Sequence, residues 1–188
     1  KTIISYDLNY RPSLWKSIGG KAKAQAVNQR LAKTVDVLIG NEEDFEVALG
    51  MDIEGSDISY RNLDLNKYQK MIEATSKNYP NLEVIAVTLR TVKSASLNDW
   101  TGVVWSKSEG FTVGKSYEDL EIFDRVGGGD SFASGFIFGL LNGFKLKDAL
   151  EYGLAHGALA MTTPGDTSMA TLSEVKKLAE GGSARVQR

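Results

Sequence analysis

The stretch Phe123–Phe136, FDRVGGGDSFASGF, runs three consecutive glycines into an aspartate and then into an apolar segment. Phe132, Phe136 and Leu140 recur there at helical spacing, so the segment reads as a core helix rather than a ligand surface. Ala133, Ser134, Gly135 and Gly139 keep it thin enough to pack close to its neighbours. Glycine loses more backbone entropy on ordering than any other residue, so a run of three implies that something approaches the main chain closely. The first amides of a helix lack intrahelical partners, and the helix dipole makes that end electropositive. The amides of Gly127, Gly128 and Gly129 are therefore candidates to cradle a phosphoryl group. A carboxylate there would repel a resting phosphate, which gives Asp130 another candidate role. It would accept the proton of an attacking hydroxyl while the amides stabilise the transferring group. The residues alone leave a plainer reading open, in which Asp130 or Ser131 caps the helix and the glycines make a turn.

Outward from this stretch, strands and helices alternate. TIISYDL (Thr2 to Leu8) is β-branched and mostly apolar, the composition of a buried strand, and Pro12 forbids further pairing after it. Lys21 to Lys33 is alanine-rich and helix-forming. VDVLIG is a second strand, NEEDFEVALG a helix stopped by Gly50, and Gly50 to Asn66 a polar surface insertion. LNKYQKMIEATSKNY is helical and LEVIAVTL a third strand, after which SASLND, GVVWSK and GFTVGK read as short antiparallel strands. Helices are expected over 130–141, 146–161 and 171–179, the last opening on TLSE, a capping box of Thr171 and Glu174. Alternation at this spacing implies right-handed crossovers and a parallel sheet covered by helices on both faces. Ligands of such sheets gather beyond the carboxyl ends of the strands, where the candidate residues lie.

The 188 residues suit one domain with its own core. A net charge of -2 provides no global basic field, so nucleic acid is not an expected partner and an anionic ligand needs local groups. With no cysteine there is no disulfide and no thiolate chemistry, which fits the cytoplasm. The longest apolar run, 132–141, is too short to span a bilayer. The chain starts on Lys1 and directly in a strand, so it is expected to be a piece of a longer protein.

DRVGGGDSFASG resembles the second signature of the PfkB, or ribokinase-like, carbohydrate kinases, whose usual form is Asp-Thr-x-Gly-Ala-Gly-Asp. Arg125 stands where threonine is usual and Gly128 where alanine is usual; neither change removes a main-chain amide. The resemblance implies an α/β fold, the ribokinase-like three-layer α/β/α sandwich with a mostly parallel sheet, lacking here its N-terminal half and β-lid. It implies ATP with Mg2+, Asp130 as catalytic base and substrate contact, and Gly127, Gly128 and Gly129 as the anion hole. The variant is most similar to the 2-keto-3-deoxygluconate kinase branch.

Further residues follow from the same resemblance. DLNYRP places Arg11 just past a strand end, and its planar fork suits a carboxylate, so it would hold the sugar acid. Asn41 and Asp44 in GNEEDFEVALG match the family's Asn-x-x-Glu motif, with aspartate where glutamate is usual, and would tune Mg2+ through water while Asn41 touches nucleotide. Asn41 as a plain helix cap with acids in the first turn is the competing reading. Thr88 and Arg90 lie at the family's Thr-x-Gly nucleotide segment, Arg90 replacing the glycine. Asp166, on the TTPGDTS turn, matches a substrate-side position; otherwise it is a turn aspartate. His156 reads as a packed or nucleotide-adjacent residue.

The resulting expectation is the carboxyl-terminal part, residues 1–188, of one ATP-dependent kinase domain acting on 2-keto-3-deoxygluconate. The isolated chain is expected to be inactive and the full-length protein a homo-oligomer. A fructokinase or other ketose kinase is the alternative enzyme, and a nucleotide-binding regulatory module the alternative outside catalysis.

Overall fold

The computed structural model describes residues 2–51 and 64–182. Most of the polar stretch expected as an insertion lies outside them, as does the end of the tail GGSARVQR. The described residues divide into two compact units: 2–51, 64–88 and 105–111 form the first, 89–104 and 112–182 the second.

The first unit is built on parallel strands. β1 (Ser5–Asp7) pairs with β2 (Val37–Asn41), and β2 pairs with β3 (Val84–Val92), Asn41 lying opposite Thr88. The apolar run of β2 and β3 explains their place: Leu38, Ile39, Ile85, Ala86 and Val87 are buried, the continuous pattern of a covered parallel sheet. Between the strands run α1 (Pro12–Lys16), α2 (Gly20–Ala32), a π-helical turn (Asp44–Ala48) and α3 (Leu65–Asn78). α2 buries Ala24, Asn28 and Ala32; the Asn28 amide donates to the Ala24 carbonyl and its oxygen accepts the Tyr6 hydroxyl. Asn81, before β3, donates to the carbonyls of Ala32 and Val35 and so fixes the end of α2.

One expectation is corrected here and two are refined. The first strand is three residues long and not buried: Ile3 is 71% and Ile4 46% exposed, because β1 ends the strand order and pairs with β2 alone among the described residues. Pro12 ends the extended segment as expected, but it also opens α1, where its fixed φ and missing N–H suit the first helical position. The segment after Asn41 is helical and ends before Gly50 as expected, but its body is a π turn, in which the Leu49 amide reaches back five residues to the Asp44 carbonyl.

In the second unit the chain turns antiparallel. β4 (Leu97–Ser106) is one continuous strand where two were expected. It runs back along β3, the Lys93 amide donating to Leu97 and the Lys107 amide to Glu83. β5 (Gly110–Val113) and β6 (Tyr117–Glu121) both pair with β4, β6 antiparallel with a bulge between Asn98 and Trp100. The six strands therefore form a mixed sheet in the order β1-β2-β3-β4-β5, with β6 beside β4. β6 has no sequence counterpart above: YEDLE mixes charge with two apolar residues, and only Tyr117 and Leu120 are buried.

α4 (Gly128–Leu141), α5 (Leu146–Met161) and α6 (Leu172–Ala179) follow, close to their expected limits. α6 starts on the capping box read from the sequence: Thr171 accepts the Glu174 amide and the Glu174 carboxylate accepts the Thr171 amide. α4 and α5 meet backbone to backbone. A Cβ on Gly135 would stand 2.7 Å from the Tyr152 carbonyl, and one on Gly139 2.7 Å from Ala149 Cα. Phe132 and Phe136, fully buried, stack at 5.8 Å, and Trp100 meets Phe132 edge-on while donating its indole N–H to the Leu154 carbonyl.

Candidate active site

The turn into α4 is fixed from several sides. The Asp124 carboxylate accepts the Val126 amide at 2.9 Å, and the amides of Phe123 and Asp124 donate to the Met161 carbonyl at the end of α5. Arg125 donates to the carbonyls of Ala95 at 2.9 Å and Ser94 at 3.5 Å, tying this turn to the one after β3. Gly127 then takes a left-handed conformation, φ 82°, as the residue before the helix. A Cβ there would collide with the Asp166 carbonyl oxygen, so both conformation and space require glycine. Gly128 lies against Met161, whose Cγ would be 2.8 Å from an added Cβ.

Gly129 differs from both. It has ordinary helical φ, and a Cβ added to it would meet no atom within 4 Å. Nothing among the described residues therefore asks for glycine there. The Ser131 amide begins the helical ladder by donating to the Gly127 carbonyl. Among the described residues, the amides of Gly127, Gly128, Gly129 and Asp130 have no protein acceptor. Asp130 is exposed beside them and makes no hydrogen bond or ion pair among the described residues. The arrangement is an open nest of donors with a solvent-facing carboxylate on its first turn, suited to an anion and a proton acceptor together.

Asp166 is brought to this turn by its main chain, its carbonyl lying against Gly127. His156, on α5, lies 3.2 Å from the Ser134 hydroxyl and 2.9 Å from that of Ser168. Burial pushes its pKa below the ordinary value, the Ser131 main chain pulling the other way.

Arg11, Asn41, Asp44 and Thr88 belong to the first unit. Asp44 is 4% exposed, and its two carboxylate oxygens accept the Tyr10 and Asn41 amides, each at 2.8 Å. Asn41 in turn accepts the Asp44 amide at 2.9 Å. Burial pushes the Asp44 carboxyl up; the Asn41 and Tyr10 amides and then the Arg11 guanidinium draw it down, and Glu43 raises it. The pair is thus a reciprocal cap that also clips the chain after β1 to the end of β2. That is the competing reading weighed above, extended by the Tyr10 contact. Asn41 and Thr88 are register partners, so two nucleotide candidates stand side by side on neighbouring strands, with Arg90 exposed two residues further along β3.

Arg11 precedes α1, exposed, and donates to the Tyr10 carbonyl at 3.0 Å. Its charge is felt by the Asp44 carboxyl. Missed in the sequence were Tyr10, which acts through its main chain, and Ser168, which carries no motif. The capping role of Asn41 was open in the sequence; the bond that Asp44 returns to the Asn41 amide was not read there.

Residues 1–172 match the pfkB family carbohydrate kinases. The chain belongs to that family. Among solved structures, the 2-dehydro-3-deoxygluconokinase of Thermotoga maritima superimposes with a TM-score of 0.84 at 38% identity, over 96% of this chain and 50% of that one. The 5-dehydro-2-deoxygluconokinase of Geobacillus kaustophilus is 26% identical over 180 residues, 95% of this chain and 47% of its own. The 2-dehydro-3-deoxygalactonokinase of Haloferax volcanii is 26% identical over 187 residues, 100% of this chain and 50% of its own. The chain thus spans about half the length of the kinases it matches. Its mixed sheet with flanking helices is the α/β arrangement that family membership implied.

Proposed function

We propose that the chain carries the phosphoryl-transfer end of an ATP-dependent kinase for 2-keto-3-deoxygluconate, and that a complete kinase joins it to a preceding half. One observation carries the reading: the nest of four amides at the start of α4, unengaged among the described residues, with exposed Asp130 on the same turn. Asp130 accepts the proton of the sugar hydroxyl as its oxygen attacks the γ-phosphorus; the new P–O bond forms, the bond to the β-phosphate oxygen breaks, and ADP leaves. The Gly127–Gly129 amides take up charge on the moving phosphoryl oxygens. Since these donors are fixed before the reaction, they need no reorganisation when charge develops.

Asn41, Thr88 and Arg90 are proposed to contact nucleotide, and Arg11 and Asp166 the substrate. Arg11 suits a sugar acid better than a neutral ketose, because a guanidinium fork matches a carboxylate. The names of the three kinases above agree in kind, each denoting a dehydro-deoxy sugar acid. Mg2+ would supply neutralisation of phosphate charge when it enters with ATP. Asn41 and Asp44 do not fit it as direct ligands, since the oxygens of both are engaged with main-chain amides. Among the described residues no cluster of three carboxylate or imidazole groups offers it a cage.

The test is Asp130→Asn in the complete kinase. ATP binding stays near wild type and transfer to ketodeoxygluconate is abolished; equal turnover in the two proteins refutes the mechanism. The 188 residues alone are expected to turn over little or no sugar, and robust activity from them refutes the proposal that a preceding half completes the site.

A further inference from the structure

His156 is the only histidine of the chain, and the reaction proposed above does not use it. It sits half-buried on α5, one residue before Gly157, whose own missing Cβ would stand 3.0 Å from the Gly128 carbonyl. The ring faces two ways: Nδ1 is 3.2 Å from Ser134 Oγ on α4, and Nε2 is 2.9 Å from Ser168 Oγ in the loop that follows α5. Ser168 Oγ also accepts the Ala170 amide at 3.3 Å. Two residues before Ser168 comes Asp166, whose carbonyl occupies the space beside Gly127.

That loop has little else to hold it. The hydroxyls of Thr162 and Thr163 bond back to carbonyls at the end of α5, but residues 164–168 make no main-chain hydrogen bond among the described residues. Gly165 turns the chain at φ 95°. A five-residue span without ladder bonds opens at small free-energy cost unless a side chain anchors it. The imidazole is the side chain placed to do so, and it reaches the loop from the helix that also packs on Gly128.

We propose that His156 is a positioning residue: bridging Ser134 and Ser168, it holds the loop so that the Asp166 main chain stays seated on Gly127 and the α4 amides keep their aim. What those amides bind rests on the kinase reading; the strut itself does not. The groups that meet the ring, Ser134 and the Ser131 main chain from α4 and Ser168 from the loop, are all uncharged. A neutral ring therefore suits the place, and burial keeps it neutral.

A chain with one histidine gives one set of imidazole signals, so NMR on the 188 residues reads this directly. The ring is expected to titrate below 6.5. Ser168→Ala and His156→Ala should each shift the amide signals of Gly127, Gly129 and Asp166, and the double variant should add nothing, as for two residues acting through one contact. In MgATP titrations of the complete kinase, each single variant should weaken binding about five- to tenfold, roughly the worth of one net hydrogen bond. KM for ATP should rise, and kcat should fall with it, because the same amides take up charge as the phosphoryl group moves. If His156→Ala does not fold, Ser168→Ala alone carries the test. Unmoved Gly127 and Asp166 amides in Ser168→Ala overturn the proposal. So does weaker ATP binding in His156→Ala with none in Ser168→Ala, since the ring would then touch nucleotide itself. Coupled amide shifts in a protein that binds no ATP would instead sink the kinase reading and leave the strut standing.

Discussion

Replacing Gly129 by alanine should make the protein more stable and a worse binder of phosphate. The residue lies in the first turn of α4 with ordinary φ, and an added Cβ meets no atom of the described residues within 4 Å. Gly→Ala at a compatible position removes freedom from the unfolded chain and stabilises by about 0.4–1 kcal/mol. For a protein of this size that raises Tm by roughly 1–4 °C. The same methyl group would stand where an incoming phosphoryl group must approach the amides. Displacing one hydrogen bond to a charged group costs about 1.5–3 kcal/mol, so MgATP should bind about ten- to a hundredfold more weakly.

Gly127→Ala is the control of opposite sign. Its left-handed conformation costs an L-residue about 1–2 kcal/mol, and the Asp166 carbonyl, being main chain, cannot rotate away from the new Cβ. Overpacking of this kind adds about 1–3 kcal/mol, so the variant should lose about 2–5 kcal/mol of stability. Thermal unfolding followed by circular dichroism and calorimetric titration with MgATP measure both quantities. A Gly129→Ala protein that melts lower than wild type, or binds MgATP as tightly, refutes the claim that this glycine is kept open for a ligand.

Three further outcomes are expected. Asp44→Asn turns one acceptor into an NH2 group facing an amide N–H, so urea unfolding should show a loss of about 1–3 kcal/mol; unchanged stability would mean the Tyr10 and Asn41 clips are dispensable. Arg11→Met should cut kcat/KM for ketodeoxygluconate far more than for fructose in the complete kinase, and equal losses would remove the sugar-acid role. Because the folded pKa of His156 is lowered, the unfolded chain takes up its proton first on acidification. Stability from this group is full above about 6.5 and falls as pH drops toward the folded value; urea midpoints at pH 7.5 and 5.5 should diverge less in His156→Gln, and an equal divergence counts against it.

What could be read in the sequence is what neighbours along the chain decide. The Thr171–Glu174 box closes within four residues, and α5 is bounded as its apolar spacing indicated. The glycine–aspartate turn was equally legible, because helix entry and its unpaired amides are local facts. Contacts that close over distance were not. The bond from the Tyr10 amide to Asp44 spans 34 residues and leaves no local trace. TIISYDL looked buried because composition reports what a strand could cover, not whether a neighbour is present to cover it.

The two departures from the family signature show the same division from the other side. In the sequence, Arg125 and Gly128 could only be judged harmless, since neither removes an amide. In three dimensions each has a partner of its own: Arg125 holds the turn after β3 through the Ala95 and Ser94 carbonyls, a reach that threonine lacks. Alanine at 128 would push on Met161, which sits at the end of α5 where the amides of Phe123 and Asp124 anchor. A glycine there lets α5 come closer to the nest, and the longer arginine secures the strand-side turn. Both changes fix the main chain around Gly127 without touching the donors, which is why a signature altered at two positions can present the same open amides.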